Sequence, residues 1–213
     1  MNMKVLLVNG SPHEKGCTYT ALGETAKTLN EEGIATEVFW IGTKPLSGCV
    51  GCKACVKLGR CVFNDCVNDF IARAAEADGF IFGTPVHYAA AGGAMTAFMD
   101  RAFYSAFLGG GNRAFYLKPA AAVLSARRAG TTSAFDQINK YFALHEMPIV
   151  SSRYWNMVFG AKPEDVLRDE EGLYTMRVLA RNMAFLLKCK KAGIAGGVEP
   201  PRREEPRFTN FIR

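Results

Sequence analysis

Apolar residues fall in short blocks, and the blocks alternate between two kinds of pattern. Lys4 to Asn9 (KVLLVN) is an almost unbroken apolar run that Gly10, Ser11 and Pro12 interrupt, as when a buried strand enters a loop. From Thr18 to Glu32 the spacing changes: Leu22, Ala26 and Leu29 recur at helical intervals until Gly33. Thr36 to Ile41 reads as a second strand, and a cysteine-rich stretch follows. Asn68 or Asp69 is placed to cap a short helix ending near Ala77. Gly79 to Gly83 (GFIFG) predicts a third strand, ending at Thr84-Pro85. Gly93 to Leu108 predicts a helix with Met95, Phe98, Met99 and Ala102 on one face. Ala120 to Leu124 predicts a fourth strand, and Ser133 to His145 a helix that turns Phe135, Ile138 and Phe142 inward. A fifth strand is expected to begin at Pro148 to Val150. The segment from Arg153 to Gly172 is irregular. The stripe Leu173, Met176, Leu179, Met183 and Leu186 marks a last helix to Lys191.

Strand and helix alternate throughout, which implies an α/β fold with a parallel sheet. Five strands in this order suit a flavodoxin-like doubly wound sheet with spatial order 2-1-3-4-5. Ligands in such sheets sit beyond the carboxyl ends of the strands, at the switch between strands 1 and 3. The loops to watch are therefore 9–17, 84–93 and 125–133. The 213 residues suit one domain, expected over 1–192, with 193–213 as a C-terminal arm or disordered tail.

Composition narrows the functional classes. No apolar run reaches the roughly 18 residues that span a membrane, so no membrane role is expected. The start MNMKVLLVNG has no small-residue cleavage site, and a cytoplasmic location follows as the expectation. The net charge of +6 is spread in pairs such as Arg127-Arg128 and Lys190-Lys191, without a long basic run. That favours a solvated surface over nucleic-acid binding, while leaving some attraction for phosphorylated small molecules.

The first loop, NGSPHEKGCTYT, lacks both GxGxxG and GxxxxGK[ST], so neither the dinucleotide fingerprint nor an ATPase P-loop is present. It offers the hydroxyls of Ser11, Thr18 and Thr20 beside a helix N-terminus, an anion site that needs no lysine. An ordinary βα turn capped by Thr18 is the alternative.

GSPHEKGCT resembles the GSP-x-x-x-G-x-T phosphate loop of the NADPH-dependent FMN reductase and iron–sulfur flavoprotein group. The likeness continues in GTPVHYAAAGGAMTAFMDR, VLSARRAGTTSAFDQINKYF, MPIVSSRYWN and DEEGLYTMRVLARNMAFLLK, and so covers nearly the whole chain to about Lys188. Cys17 stands where that group usually has Asn or another small polar residue. The resemblance implies FMN as cofactor, NAD(P)H as electron donor and a small-molecule electron acceptor. By the same likeness Ser11, His13, Gly16, Cys17 and Thr18 would enclose the phosphate. Thr84, Pro85, Val86, His87 and Tyr88 would flank the isoalloxazine, with Ser125, Arg127 and Gly130 at its third edge.

These residue types suit a flavin, which needs a flat slot and an unobstructed hydride-accepting face. His87 and Tyr88 can form an aromatic wall, and Ala89 to Gly93 (AAAGG) is small enough to leave space for a nicotinamide or quinone. Arg127 or Arg128 could hold charge on a reduced flavin or bind an NADPH phosphate. Trp40 and Trp155 read as core or interface anchors, and Cys189 as an inert helix cysteine. Because the slot of one such domain is open beside His87 and Tyr88, a homodimer or homotetramer is expected to close it.

Cys49 to Cys66 (CVGCKACVKLGRCVFNDC) holds five of the seven cysteines in eighteen residues. In a reducing compartment a disulfide framework is disfavoured. Zinc usually pairs two separated Cys-x2-Cys knuckles, and here the ligands are crowded. Three cysteines at x2 spacing plus a fourth form a compact iron–sulfur arrangement, with Gly51 and Gly59 supplying the turns. The spacing also resembles the compact motif of iron–sulfur flavoproteins. A [4Fe–4S] cluster on Cys49, Cys52, Cys55 and Cys61, a reduced thiol loop over the flavin, and a zinc ion all stay open; the first is the preferred one, with Cys17 and Cys66 free. The functional expectation is an FMN-dependent NAD(P)H oxidoreductase that delivers electrons to a quinone, flavin or similar acceptor. An iron–sulfur flavoprotein that carries electrons between redox proteins is the alternative, and a flavin-free redox or metal sensor is a third.

Overall fold

Strand β1 (Lys4–Asn9) is buried from Val5 to Asn9, so helices must cover both of its faces. The computed structural model describes residues 3–204, Arg207 and Thr209. After β1 come α1 (Cys17–Glu31), β2 (Ala35–Trp40), α2 (Cys55–Leu58), α3 (Cys66–Glu76), β3 (Gly79–His87), β4 (Ala90–Ala91) and α4 (Gly93–Gly110). The chain continues through β5 (Ala120–Ala126), α5 (Thr131–Leu144), β6 (Met157–Phe159), α6 (Pro163–Val166) and α7 (Glu170–Ala195). The parallel strands lie in the order β2-β1-β3-β5-β6, and β4 folds back antiparallel on β3. With that hairpin strand set aside, this is the flavodoxin-like 2-1-3-4-5 order.

Alternation along each strand divides the core in two. Val5, Leu7, Ile81, Val123 and Val158 face α1 and α7, meeting Leu22, Leu29, Met176, Leu179 and Met183. Leu6, Val8, Phe80, Phe82 and Leu124 face α3, α4 and α5, where Phe70, Phe98, Ile138 and Phe142 pack. Phe70 sits at the centre of that layer, in ring contact with Phe39, Phe80, Phe82, Phe98 and Phe115. Burying one such side chain stabilises the fold by about 1.5–3 kcal/mol.

The ladders align the strand ends. Asn9 pairs with Gly83, Pro85 with Ser125 and Ala126 with Phe159. The loops after β1, β3 and β5 therefore emerge side by side.

Several sequence expectations need correction. The fifth parallel strand is Met157–Phe159, inside the segment expected to be irregular. At 148–150 there is only an isolated bridge between Ile149 and Ala120, and the chain then leaves the ladder. β3 does not stop at Thr84-Pro85 but continues to His87, because Pro85 has a place at the end of the β5 ladder that needs no donated N–H. The cap of α3 is Asp65, whose carboxylate accepts from Val67 N, and not Asn68 or Asp69. α1 begins at Cys17 with Gly16 as N-cap, so Thr18 is not the cap. α7 reaches Ala195, within the expected arm. Arg203 then packs back on its own chain, donating to the Gly111 carbonyl and lying 4.1 Å over the Tyr116 ring. The remainder of the expected arm, apart from Arg207 and Thr209, lies outside the described residues.

Candidate functional site

The loop after β1 is organised by a residue the sequence did not single out. Asn9 is fully buried; its Nδ2 donates to the Glu14 carbonyl at 2.9 Å and its Oδ1 accepts from Ser11 N at 3.1 Å. Ser11 Oγ accepts from His13 N, Gly16 N donates to the His13 carbonyl, and Trp40 Nε1 donates to the Ser11 carbonyl at 2.8 Å. Trp40 is thus a brace for this loop. The loop is folded by its own hydrogen bonds. It delivers the chain to an α1 terminus with no side-chain cap and no acidic residue in its first turn. Uncapped N–H groups with the positive end of the helix dipole form an anion site.

Two buried hydroxyls lie behind that terminus. Thr18 Oγ1 and Ser125 Oγ are 2.8 Å apart, tying α1 to the end of β5. Ser11 is likewise buried, whereas His13, Arg127 and Arg128 are exposed on the rim. Cys17 opens α1 with its Sγ 3.6 Å from the Gly160 carbonyl, and burial pushes its thiol pKa up.

The loop after β3 is a hairpin. Val86 and His87 pair with Ala91 and Ala90, and the two-residue turn Tyr88-Ala89 has φ of +49° and +60°. That is the left-handed geometry two-residue hairpins favour, built here without glycine. Tyr88 at the tip is fully exposed. Thr84 Oγ1 accepts from Gly92 N and Gln137 Oε1 accepts from Ala91 N, fixing the returning strand. The small residues of Ala89 to Gly93 therefore serve close backbone packing as much as open space. Gly130, at φ +90°, closes the group: a Cβ there would lie 2.5 Å from Ala89 Cα. The hairpin and the loop after β5 thus touch. The structure joins Thr18 to Ser125, keeps Ser11 buried in the loop that precedes α1, and packs the Thr84–Tyr88 hairpin against Gly130.

The segment between β2 and α3 carries the cysteines. Gly51 and Gly59 take φ of +65° and +67°, the turns expected of them. Cys49, Cys52, Cys55 and Cys61 line one pocket with Arg101, while Cys66 caps nothing and packs at the start of α3. Asn68 holds Cys61 from both sides: Cys61 N donates to its Oδ1 and its Nδ2 donates to the Cys61 carbonyl, each at 3.0 Å. Arg101 is 1% exposed and forms a bidentate pair with Asp65 at 2.7 and 2.9 Å. Its Nε and Nη2 also point at Cys61 Sγ, at 3.3 and 3.4 Å. Burial pushes the Cys55 thiol pKa up, and the neighbouring Cys52 and Cys49 add to the rise. The α2 backbone presses on α4, since a Cβ at Gly109 would lie 2.7 Å from the Cys55 carbonyl oxygen.

Among the described residues, no three His, Cys, Asp or Glu side chains gather where one metal ion could sit. A [4Fe–4S] cluster makes a different demand, because each of its four thiolates binds a different iron. Four sulfurs around one pocket, with a buried cation at one of them, fit that donor chemistry.

The model of the family described as NADPH-dependent FMN reductase matches residues 3–162. This chain belongs to that family. Members of the NADPH-dependent FMN reductase family bind FMN and use NAD(P)H as donor, and this protein is an oxidoreductase of that kind. It is 32% identical over 200 residues to an iron–sulfur flavoprotein of Methanocaldococcus jannaschii, covering 89% of this chain and 100% of the relative. An iron–sulfur flavoprotein of Archaeoglobus fulgidus is 29% identical over 193 residues, covering 85% and 95%. Among solved structures, RosB with bound 8-demethyl-8-formylriboflavin-5'-phosphate superposes with a TM-score of 0.69 at 15% identity, covering 99% and 98%. The NAD(P)H:quinone oxidoreductase of Methanothermobacter marburgensis gives 0.66 at 17% identity, covering 86% and 96%. These two share the fold. No helix among the described residues is long and apolar enough to cross a membrane.

Proposed function

We propose that this FMN reductase family member passes electrons from NAD(P)H to a small acceptor such as a quinone or a flavin. In this proposal the FMN phosphate rests on loop 11–18 and the ring lies between Thr84–Tyr88 and the Ser125–Gly130 segment. The observation that carries it is the uncapped α1 terminus at the switch between β1 and β3, with buried Ser11, Thr18 and Ser125 behind it. FMN supplies hydride acceptance and onward electron release. The chain supplies the rest: Asn9 and Trp40 hold the phosphate loop in shape, Thr84 and Gln137 fix the hairpin, and Arg127 offers charge at the rim. The open tip at Tyr88 leaves access for donor and acceptor, and a second copy in a homodimer or homotetramer would cover it. Equilibrium sedimentation at micromolar concentration should show an oligomer.

Anaerobically purified protein should carry about one FMN per chain and oxidise NADPH in steady state with a quinone or free flavin. Ser11→Ala with Thr18→Ala should weaken FMN binding at least a hundredfold, at about 1.5–3 kcal/mol for each charge-assisted hydrogen bond. Wild-type affinity in the double variant would overturn the phosphate assignment.

A second proposal concerns the cysteines. A [4Fe–4S] cluster on Cys49, Cys52, Cys55 and Cys61 would let the protein carry single electrons to another redox protein. The shared pocket supports it, as does the likeness to proteins named iron–sulfur flavoproteins. An aromatic groove of about 480 Å3 between α4 and α5, lined by Tyr104, Phe107 and Leu144, also borders Cys49 and offers a place for a partner. Broad absorption near about 400 nm and about four irons per chain should accompany the cluster. Iron-free protein with full FMN content would leave only the first proposal.

A further inference from the structure

We propose that Arg101 is the positioning residue that sets the reduction potential of the cluster, through hydrogen bonds to the Cys61 sulfur and through a charge that Asp65 partly offsets. This rests on the cluster proposal above.

Arg101 lies in the middle of α4, where an arginine ordinarily reaches solvent. Here the guanidinium is drawn inward and every nitrogen is aimed at the cysteine segment. Nε and Nη2 approach Cys61 Sγ at 3.3 and 3.4 Å, Nη1 and Nη2 bind Asp65, and Nη2 also lies 3.4 Å from the Phe63 carbonyl. The Phe63 ring stacks 4.8 Å from the guanidinium carbon. A neutral thiol is a weak acceptor and would not by itself draw two N–H groups of a buried cation. A sulfur that shares the negative charge of a metal cluster would. Asn68 fixes the Cys61 backbone at both its N–H and its carbonyl, so the sulfur is held against Arg101 by the protein fold.

One-electron reduction of the cluster adds negative charge to its irons and sulfurs, with no bond made or broken. NAD(P)H would give FMN two electrons as hydride, and the reduced flavin would release them singly, one for each reduction of the cluster. Hydrogen bonds to ligand sulfurs and nearby positive charge favour the reduced form, and donors bonded to the ligands of a metal centre tune it in this way. Burial strengthens the effect, because the local dielectric is low. Arg101 therefore raises the potential, and the Asp65 carboxylate lowers it. The two side chains touch, yet their removal should move the potential in opposite directions. An ion pair that only held the fold together would not produce that result.

The test is an anaerobic redox titration of the full-length, FMN-loaded protein, following the cluster by electron paramagnetic resonance and counting iron in every sample. Arg101→Gln should lower the cluster potential by at least a tenfold change in the one-electron equilibrium, about 59 mV. Asp65→Asn keeps a residue able to cap α3 and should raise it. Arg101→Lys keeps the charge without the forked donors and should fall between Gln and wild type. If Arg101→Gln does not fold, the Asp65→Asn and Arg101→Lys shifts carry the test. Potentials that stay within twofold of wild type in iron-replete variants, or that move in the same direction for Arg101→Gln and Asp65→Asn, overturn the role of Arg101 and leave the cluster standing. Wild-type protein without iron overturns both.

Discussion

The loops at the carboxyl end of the sheet and the cysteine segment reach their shapes by different means. The first group hangs from adjacent strands, so the ladders that pair Asn9 with Gly83 and Pro85 with Ser125 place three loops together before any side chain acts. Local hydrogen bonds shape each loop, Asn9 to Ser11 and Glu14 and Thr84 to Gly92, and a few longer contacts join them, Thr18 to Ser125 and Gly130 against Ala89. The segment from 41 to 65 has only the four-residue α2 as regular structure. It is held by a few side chains, chiefly Arg101 from α4 and Asn68 from the adjoining α3. A site hung on a ladder spreads its dependence over many backbone bonds, whereas one held by anchors concentrates it in a few residues.

The most severe way to separate the two is Cys52→Ser. It should remove essentially all iron while FMN stays near one per chain, as metal analysis and flavin absorbance would show; joint loss of both cofactors would mean that the regions are not independent. Next is a pH test of whether they share one folding unit. His145, at the C-cap of α5, is buried against Phe103 and bonded to Asn112, and burial lowers its pKa to about 4. A neutral imidazole in the fold gives stability that is complete above pH 6.5 and is lost as pH falls towards 4. The full loss is up to about 3 kcal/mol. Urea unfolding followed by the flavin signal and by iron release should show that slope in both, and His145→Gln should flatten it.

A matched pair of glycine changes sharpens the contrast. Gly130→Ala forces a Cβ into Ala89 and should weaken FMN binding while sparing iron, at a cost of about 1–3 kcal/mol. Gly109→Ala presses on the Cys55 carbonyl and should do the reverse. If each variant depletes both cofactors equally, the regional distinction fails. The smallest effect expected is that of Gln137→Leu, which removes one acceptor from the hairpin. It should cost about 1 kcal/mol in thermal stability and slightly weaken flavin retention.

How much of this was legible in the sequence follows from the same distinction. Strands with continuous apolar runs and helices with clear periodicity were visible to within a few residues, and the switch-point rule identified the three loops. β6 escaped because three residues of an edge strand carry too little pattern, and Pro85 read as a stop although the ladder tolerates it. Asn68 looked like a cap, but its side chain is used on Cys61 and Asp65 takes that place. Asn9 and Gln137 carried no signal, since an amide becomes informative only when its partners are known. Arg101 stood in the sequence only as the last residue of the family-like stretch GTPVHYAAAGGAMTAFMDR; its burial makes sense only with Asp65, 36 positions away.

α4 has a mechanical consequence of its own. It starts at Gly93, directly after the hairpin, contributes Arg101 along its length and ends beside α2. Its 18 residues form a rod about 27 Å long, and Arg101 stands about 12 Å along it from Gly93. The distance from the hairpin to the cysteine pocket is therefore set by one stiff member and not by the slack of intervening loops. A ligand that tilts the hairpin tilts the same strut that carries the guanidinium, and changes in loop sequence at either end can vary what is bound without altering the span between them.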